Sequence, residues 1–192
     1  MKRNNFYLLY GEDKSLLNNE VDKLKKNLNI TSESIYYDIE NVSDIVVEAS
    51  TIGMFDPYKF IVIDSGSYFL QKSEFDISLL EDYFNNYNTN SYLIFILNSG
   101  SVDSKKKLYK LINDNGTINK LNVTEEYLDT FVRNYIKDNG FTMSDMDIKF
   151  FLGRCNKDID NIKNELDKLM LYKLEEKVID RNDIILLIDE DI

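Results

Sequence analysis

Three places in the sequence hold residues whose types and spacing could do chemistry. The first is Gly11-Glu12-Asp13-Lys14-Ser15, which follows the apolar run Phe6-Tyr7-Leu8-Leu9-Tyr10 and precedes Leu17, Val21, Leu24 and Leu28 at helical spacing. A strand, a glycine turn and a helix are the setting of a phosphate loop. Such a loop needs several glycines so that backbone N–H groups can wrap an anion, a lysine for the outer phosphates and a hydroxyl for magnesium. Here one glycine is followed by two acids that repel a triphosphate, and Lys14-Ser15 without the preceding glycines is a chance dipeptide. Gly11, Glu12 and Asp13 are therefore read as a degenerate loop that binds no cofactor. The second place is Leu97-Asn98-Ser99-Gly100, where an ATPase of this layout would carry a sensor of the terminal phosphate; without a phosphate loop it is read as an ordinary turn. The third is Cys155 beside Arg154, whose charge favours a thiolate. With one cysteine and no histidine in 192 residues, there is no intramolecular disulfide, imidazole general base or ordinary zinc site. Cys155 is read as structural, and no catalytic residue or metal ligand is assigned.

A different kind of chemistry, recognition, is offered by Thr51-Ile52-Gly53-Met54-Phe55-Asp56-Pro57-Tyr58. This stretch follows a helical pattern (Ile45, Val46, Ala49), passes a glycine and the single proline of the chain, and enters the β-branched run Lys59-Phe60-Ile61-Val62-Ile63-Asp64. Met54 and Phe55 at this bend either fold back into the core or stand out for a partner. Periodicity alone favours the core, whereas exposed apolar tips, where they occur, mark binding sites.

The elements around these places follow from the hydrophobic pattern. Strands are expected at 6–10, 34–38, 59–64, 92–97 and 117–121, with Tyr92-Leu93-Ile94-Phe95-Ile96-Leu97 as the central one because it is the most apolar run. Helical patterns lie between them, one from about Ser104 to Ile112 ended by the turn-prone Asn113-Asp114-Asn115-Gly116. Strands alternating with helices imply right-handed crossovers, hence a doubly wound, five-stranded parallel α/β sheet over residues 1–122. From Asn122 the period changes. Thr124, Ser144 and either Asp180 or Asn182 are expected to cap helices, and a further helix is expected from about Asp158, in a small all-α domain, residues 123–192.

Composition sets further bounds. The formal charge of −11 opposes attraction to phosphate backbones, so contact with DNA has to be local or made through an assembly. The local exception, Lys105-Lys106-Lys107 with Lys110, reads first as the solvated face of a helix. No run reaches the roughly 18 apolar residues that a bilayer span requires, and the N-terminus does not read as a signal peptide, so no membrane contact and a cytoplasmic location are expected.

Taken in order, these parts resemble the delta subunit family of the bacterial DNA polymerase III clamp loader. The resemblance rests on Tyr7-Leu8-Leu9-Tyr10-Gly11-Glu12-Asp13, on the bend and strand from Thr51 to Ile63, and on Asp158-Ile159 followed by Asn164-Glu165-Leu166-Asp167-Lys168-Leu169. It covers the whole chain. Gly53 stands where the family usually has proline, Met54 where it more often has leucine or phenylalanine, and Asn156 where it commonly has a glycine between two helices; asparagine tolerates the left-handed conformation better than most residues.

The resemblance implies an AAA+-like fold with a helical lid and a non-catalytic role in DNA replication. The subunit would bind the ring-shaped sliding clamp and help hold it open while other loader subunits hydrolyse ATP. Met54 and Phe55 would be the plug, with Thr51, Ile52 and Tyr58 shaping the contact. Implied partners are the clamp and the gamma/tau and delta prime subunits, with DNA bound only within the assembled loader. A third, C-terminal collar domain belongs to the family but not to these residues, and the chain is expected to be a piece of a longer protein. The competing readings are a diverged nucleotide-binding ATPase, which the acidic loop opposes, and a stand-alone DNA-binding domain, which the net charge opposes.

Overall fold

The apolar run after Asn5 forms strand β1 (Phe6–Gly11), and Asp13 then starts helix α1 (Lys14–Leu28) by accepting the Leu16 N–H at 2.8 Å. The computed structural model describes residues 4–37, 42–52, 57–70 and 76–189. The chain continues through β2 (Ser34–Tyr36), α2 (Val42–Ser50), β3 (Lys59–Asp64), the short α3 (Gly66–Leu70), α4 (Ser78–Asn85), β4 (Ser91–Asn98), α5 (Lys107–Asn115) and β5 (Thr117–Lys120). By its internal contacts the chain divides into two compact units, residues 1–122 and 123–192.

The five strands of the first unit pair in parallel in the order β2-β3-β4-β1-β5, with β4 in the middle. Phe6 lies opposite Leu93, Lys59 opposite Ser91 and Tyr7 opposite Thr117. Side chains alternate between the two faces. Leu9, Phe60, Val62, Tyr92 and Ile94 pack with Leu17 and Val21 of α1 on one face. Leu8, Ile61, Ile63, Leu93, Phe95 and Leu97 pack with residues of α2, α4 and α5 on the other. Both faces are thus buried, which is why β3 and β4 read as continuous apolar runs rather than alternating ones.

The boundaries differ from the pattern-based expectation in physically explicable ways. β2 ends at Tyr36, and its Ile35 is 48% exposed, as suits a short edge strand. Helix α5 starts later than expected and runs on through Asn113-Asp114-Asn115; its end comes at Gly116, whose N–H bonds the Ile112 carbonyl at 2.7 Å.

The second unit is built from α6 (Glu125–Asp138), α7 (Asp145–Arg154), α8 (Ile159–Tyr172) and α9 (Arg181–Leu187) around Val132, Ile136, Ile148, Phe151, Ile162, Leu166 and Ile184. Thr124, Ser144, Asp158 and Asp180 all accept N–H groups in the first turn they precede. Gly140, at φ +77°, lets the chain leave α6. Beyond the helices, β6 (Thr142–Met143) and β7 (Val178–Ile179) form a parallel pair too short for periodicity to reveal. Asn156 is not among the residues with positive φ; its side chain instead accepts the Asp158 N–H at 3.1 Å.

Candidate functional site

The last turn of a helix leaves backbone carbonyls without helical partners, and at the end of α2 side chains from elsewhere in the unit supply them. The Ala49 carbonyl accepts the Ser91 hydroxyl at 2.7 Å and, at 3.3 Å each, the Tyr83 hydroxyl and the Asn88 amide. The Glu48 carbonyl accepts the Lys59 ammonium at 2.6 Å and the Thr51 hydroxyl at 2.9 Å. Lys59 also donates to Thr51 Oγ1. The Glu48 carboxylate accepts from the hydroxyls of Ser34 and, at 2.5 Å, Tyr36, tying α2 to edge strand β2. That carboxylate, aided by partial burial, pushes the Tyr36 phenol up to about 12. Below this anchorage, Asn5 donates to the carbonyls of Thr89 and Ser91, both at 2.8 Å, fixing the approach to β4.

Out of this fixed base the chain enters the bend. Thr51 is exposed and Ile52 is 79% exposed, a large aliphatic side chain in solvent; Val47 on α2 is exposed as well, at 62%. On the return side Pro57 is exposed, while Tyr58 is half-buried and packs against the core on the α1 face. Met54 and Phe55 lie outside the described residues. Thr51 and Ile52 thus follow the end of α2, Tyr58 precedes β3 with its side chain on the α1 face, and the contacts at the α2 end involve residues not picked out from the sequence: Glu48, Lys59 and Ser91. Their trace in the sequence is faint. Lys59 and Ser91 are polar residues opening otherwise apolar strands, and Ser91 is fully buried.

The degenerate loop has its own account. A Cβ on Gly11 would stand 2.5 Å from the Leu121 carbonyl oxygen, because Leu121 pairs its N–H with the Tyr10 carbonyl at 2.8 Å as the β5 side closes on β1. The glycine is thus required by backbone approach within the sheet. Asp13 is used as the α1 cap, and Asn98, with its amide nitrogen turned toward the loop, donates to the carbonyls of Glu12 at 2.9 Å and Gly11 at 3.2 Å. The residue at the sensor position binds the loop itself. Beside α1 a cleft of about 330 Å³ opens at the ends of β2, β3 and β4; Asp22, Glu33 and Asp64 on its rim outnumber Lys14.

The remaining candidates are engaged locally. Lys107 pairs with Glu81, and the Lys106 ammonium lies 5.2 Å from the centre of the Tyr68 ring, so half of the four-lysine cluster has contacts within its own unit. Cys155 is half-buried at the end of α7, with its N–H on the Phe151 carbonyl. Among the described residues no group of three or more metal-ligating side chains is gathered, and no helix is long and apolar enough to cross a membrane.

Comparison with known proteins gives the following. The family described as DNA polymerase III, delta subunit, matches residues 7–122. No curated protein sequence matches the chain. Among solved structures, the Bacillus subtilis DNA clamp loader delta protein (YqeN) is similar with a TM-score of 0.70 at 16% identity, over 97% of this chain and 59% of that one. The Thermotoga maritima RuvB Holliday junction branch migration motor is similar with a TM-score of 0.58 at 12% identity, over 94% of this chain and 60% of that one. At these identities the structural likeness speaks for the fold. The chain spans about six tenths of the length of each of these structures.

Proposed function

The chain belongs to the DNA polymerase III delta subunit family, and on that premise we propose that it is a non-catalytic clamp-loader subunit that binds the sliding clamp through the bend after α2 and helps open it. The observation that carries this reading is the exposed Ile52 next to a helix end whose carbonyls are held by five side chains, all inside the segment that the family matches. A large apolar residue in solvent on a rigid base is the form of an interface anchor, and such anchors carry about 2 kcal/mol or more each. Ile52, Met54 and Phe55 supply the apolar contact, and Thr51 and Tyr58 frame it. Residues 1–122 are the clamp-binding module, and residues 123–192 act as the lid domain.

ATP hydrolysis is assigned to other subunits of the loader, because the loop at Gly11 presents carbonyls and acids where a triphosphate would need donors; gamma/tau and delta prime are the partners within the loader. DNA is met within the assembled loader, and the protein works in the cytoplasm, where replication takes place.

The test is co-elution of the purified chain with its cognate sliding clamp, repeated with Phe55→Ala. Wild type is expected to co-elute and the variant to bind about thirtyfold more weakly, the equivalent of losing one anchor. Its melting temperature is expected to stay close to wild type, since truncating an exposed side chain costs within about 0.5 kcal/mol. An early-melting Phe55→Ala that binds as tightly as wild type would make Phe55 a core residue and sink the proposal. Micromolar, magnesium-dependent binding of labelled ATP to the chain would favour the ATPase alternative instead.

A further inference from the structure

Helix α1 packs on β1, β3 and β4 through Leu17 and Val21 and leaves edge strand β2 uncovered on that face, where Ile35 is 48% exposed. The cleft of about 330 Å³ lies in the step between helix and edge strand. Alternation and register fix its walls. Ser34 and Tyr36 send their hydroxyls to Glu48 of α2 on the opposite face, so Ile35 between them faces the α1 side. Ile35 lies opposite Val62, and the two make an apolar floor. Lys14, Asn18 and Asp22 stand four residues apart along one wall, with Val21 next to Asp22. At 1.5 Å per residue that row is about 12 Å long, the span of an extended segment of about four residues.

The charges of the cleft decide what such a segment carries. Phe60 and Val62 belong to the α1-face core, so Asp64, two residues on, turns its carboxylate to the same side, opposite Ile96 in the ladder. Asp64 is half-buried, and among the described residues neither it nor Asp22 makes a hydrogen bond or an ion pair. Glu33 is already paired with Lys25 at 3.0 Å, and Lys14 is the single cation of the described lining. Two unpaired carboxylates thus face one ammonium, in a chain whose net charge is −11. A carboxylate that has given up part of its water without gaining a partner is stabilised by an incoming cation. An anion meets the opposite response.

We infer that the cleft between α1 and β2 docks a partner protein through an extended segment of about four residues, which lays an aliphatic side chain on Ile35 and Val62 and directs basic side chains toward Asp22 and Asp64. The floor accepts the methylene stems and the carboxylates accept the charged ends, as long basic side chains require. This surface is separate from the bend after α2, and the inference does not depend on clamp binding.

The experiment titrates the isotope-labelled chain at physiological salt and follows amide shifts by NMR. Its probes are the blocked peptide Leu-Arg-Leu-Arg, the same peptide with citrulline, the neutral counterpart of arginine, in both basic places, and spermidine. Shifts from the arginine peptide are expected to cluster at residues 14–22, 33–37 and 62–64. The citrulline peptide is expected to bind about tenfold more weakly, the loss of a hydrogen bond to a charged group. Combining Asp22→Asn with Asp64→Asn should weaken the arginine peptide by the same factor, leave the citrulline peptide unchanged and keep the melting temperature. Ile35→Thr, which retains the β-branched shape, should weaken both peptides about threefold. Shifts scattered over the acidic surface, equal binding of the two peptides, a double variant that binds like wild type, or no binding of the arginine peptide at millimolar concentration would each overturn the inference. Spermidine binding at the same residues as tightly as the arginine peptide would overturn it too, since the cleft would then take a free amine and not a protein segment.

Discussion

At Tyr36 a single hydrogen bond makes the stability of the edge strand depend on pH. Its hydroxyl donates to the Glu48 carboxylate, which holds the phenol proton up to about 12, against 10.0 for an unperturbed tyrosine. The folded protein therefore keeps this proton more tightly than the unfolded chain does. The stabilisation is fully present below pH 10 and is lost as the pH rises from there through 12. The group is half-buried on an edge strand, so its contribution is reduced by solvent screening and is not that of a fully buried pair. Tyr36→Phe is expected to remove it: wild type should be the more stable protein at neutral pH, and the difference between the two should shrink between pH 10 and 12, as followed by urea denaturation at stepped pH. A difference that stays constant through that interval would show that the phenol is not held by Glu48. The partners involved, Ser34 and Tyr36 with Glu48, are separated by a crossover. Nothing in their local sequence pairs them.

Elements were legible wherever their signal is local. Thr124, Ser144 and Asp158 each stand before an apolar-periodic run, and each is observed as a cap; between Asp180 and Asn182, which the sequence leaves open, the structure selects Asp180. The reason is reciprocity. Asp180 accepts the N–H groups of Asn182 and Asp183, while Asp183 accepts the Asp180 N–H at 2.9 Å, a capping box that Asn182 has no acid three residues later to complete. Asp180→Ala is expected to lower stability by about 1 kcal/mol, and chemical denaturation of the variant checks it; no loss would show that α9 is held by the packing of Ile184 and Ile188 alone. Elements without a local signal were not legible. Helix α3 has five residues and each strand of the β6–β7 pair has two, too few for a periodic pattern to repeat. Asn113-Asp114-Asn115 reads as a turn, yet it stays helical because Leu108 and Ile112 are buried on the sheet and the Asn115 amide bonds the Leu111 carbonyl at 2.8 Å. The fastening of the α2 end was not legible either, since Lys59, Ser91, Tyr83 and Asn88 meet α2 only through the tertiary fold.

For the molecule as a whole, the family match ends at residue 122 whereas the structural likeness to the Bacillus subtilis protein extends over 97% of the chain, so for the helical unit the likeness is one of fold alone. What acts over the entire chain is its charge. A net −11 raises the cost of approaching a polyanion from every direction, and the four-lysine cluster at 105–110 is its main local counterweight. Within that cluster Lys107 is already paired with Glu81 and Lys106 rests over Tyr68, which leaves few ammonium groups to displace counterions from a duplex. Each phosphate neutralised contributes a slope of about −0.9 to the logarithm of the binding constant against that of salt, and non-specific binders at physiological salt reach dissociation constants of roughly 10⁻⁴ to 10⁻⁶ M. The isolated chain is accordingly expected to bind a labelled duplex oligonucleotide more weakly than about 10⁻⁴ M at 150 mM salt. Replacing Lys105 and Lys110 with glutamate should make no measurable difference. Anisotropy titrations at two salt concentrations decide the matter. Micromolar binding with a steep salt slope that the double variant abolishes would mean that the lysine cluster is a DNA-binding site in its own right, and that contact with DNA does not wait for the assembled loader.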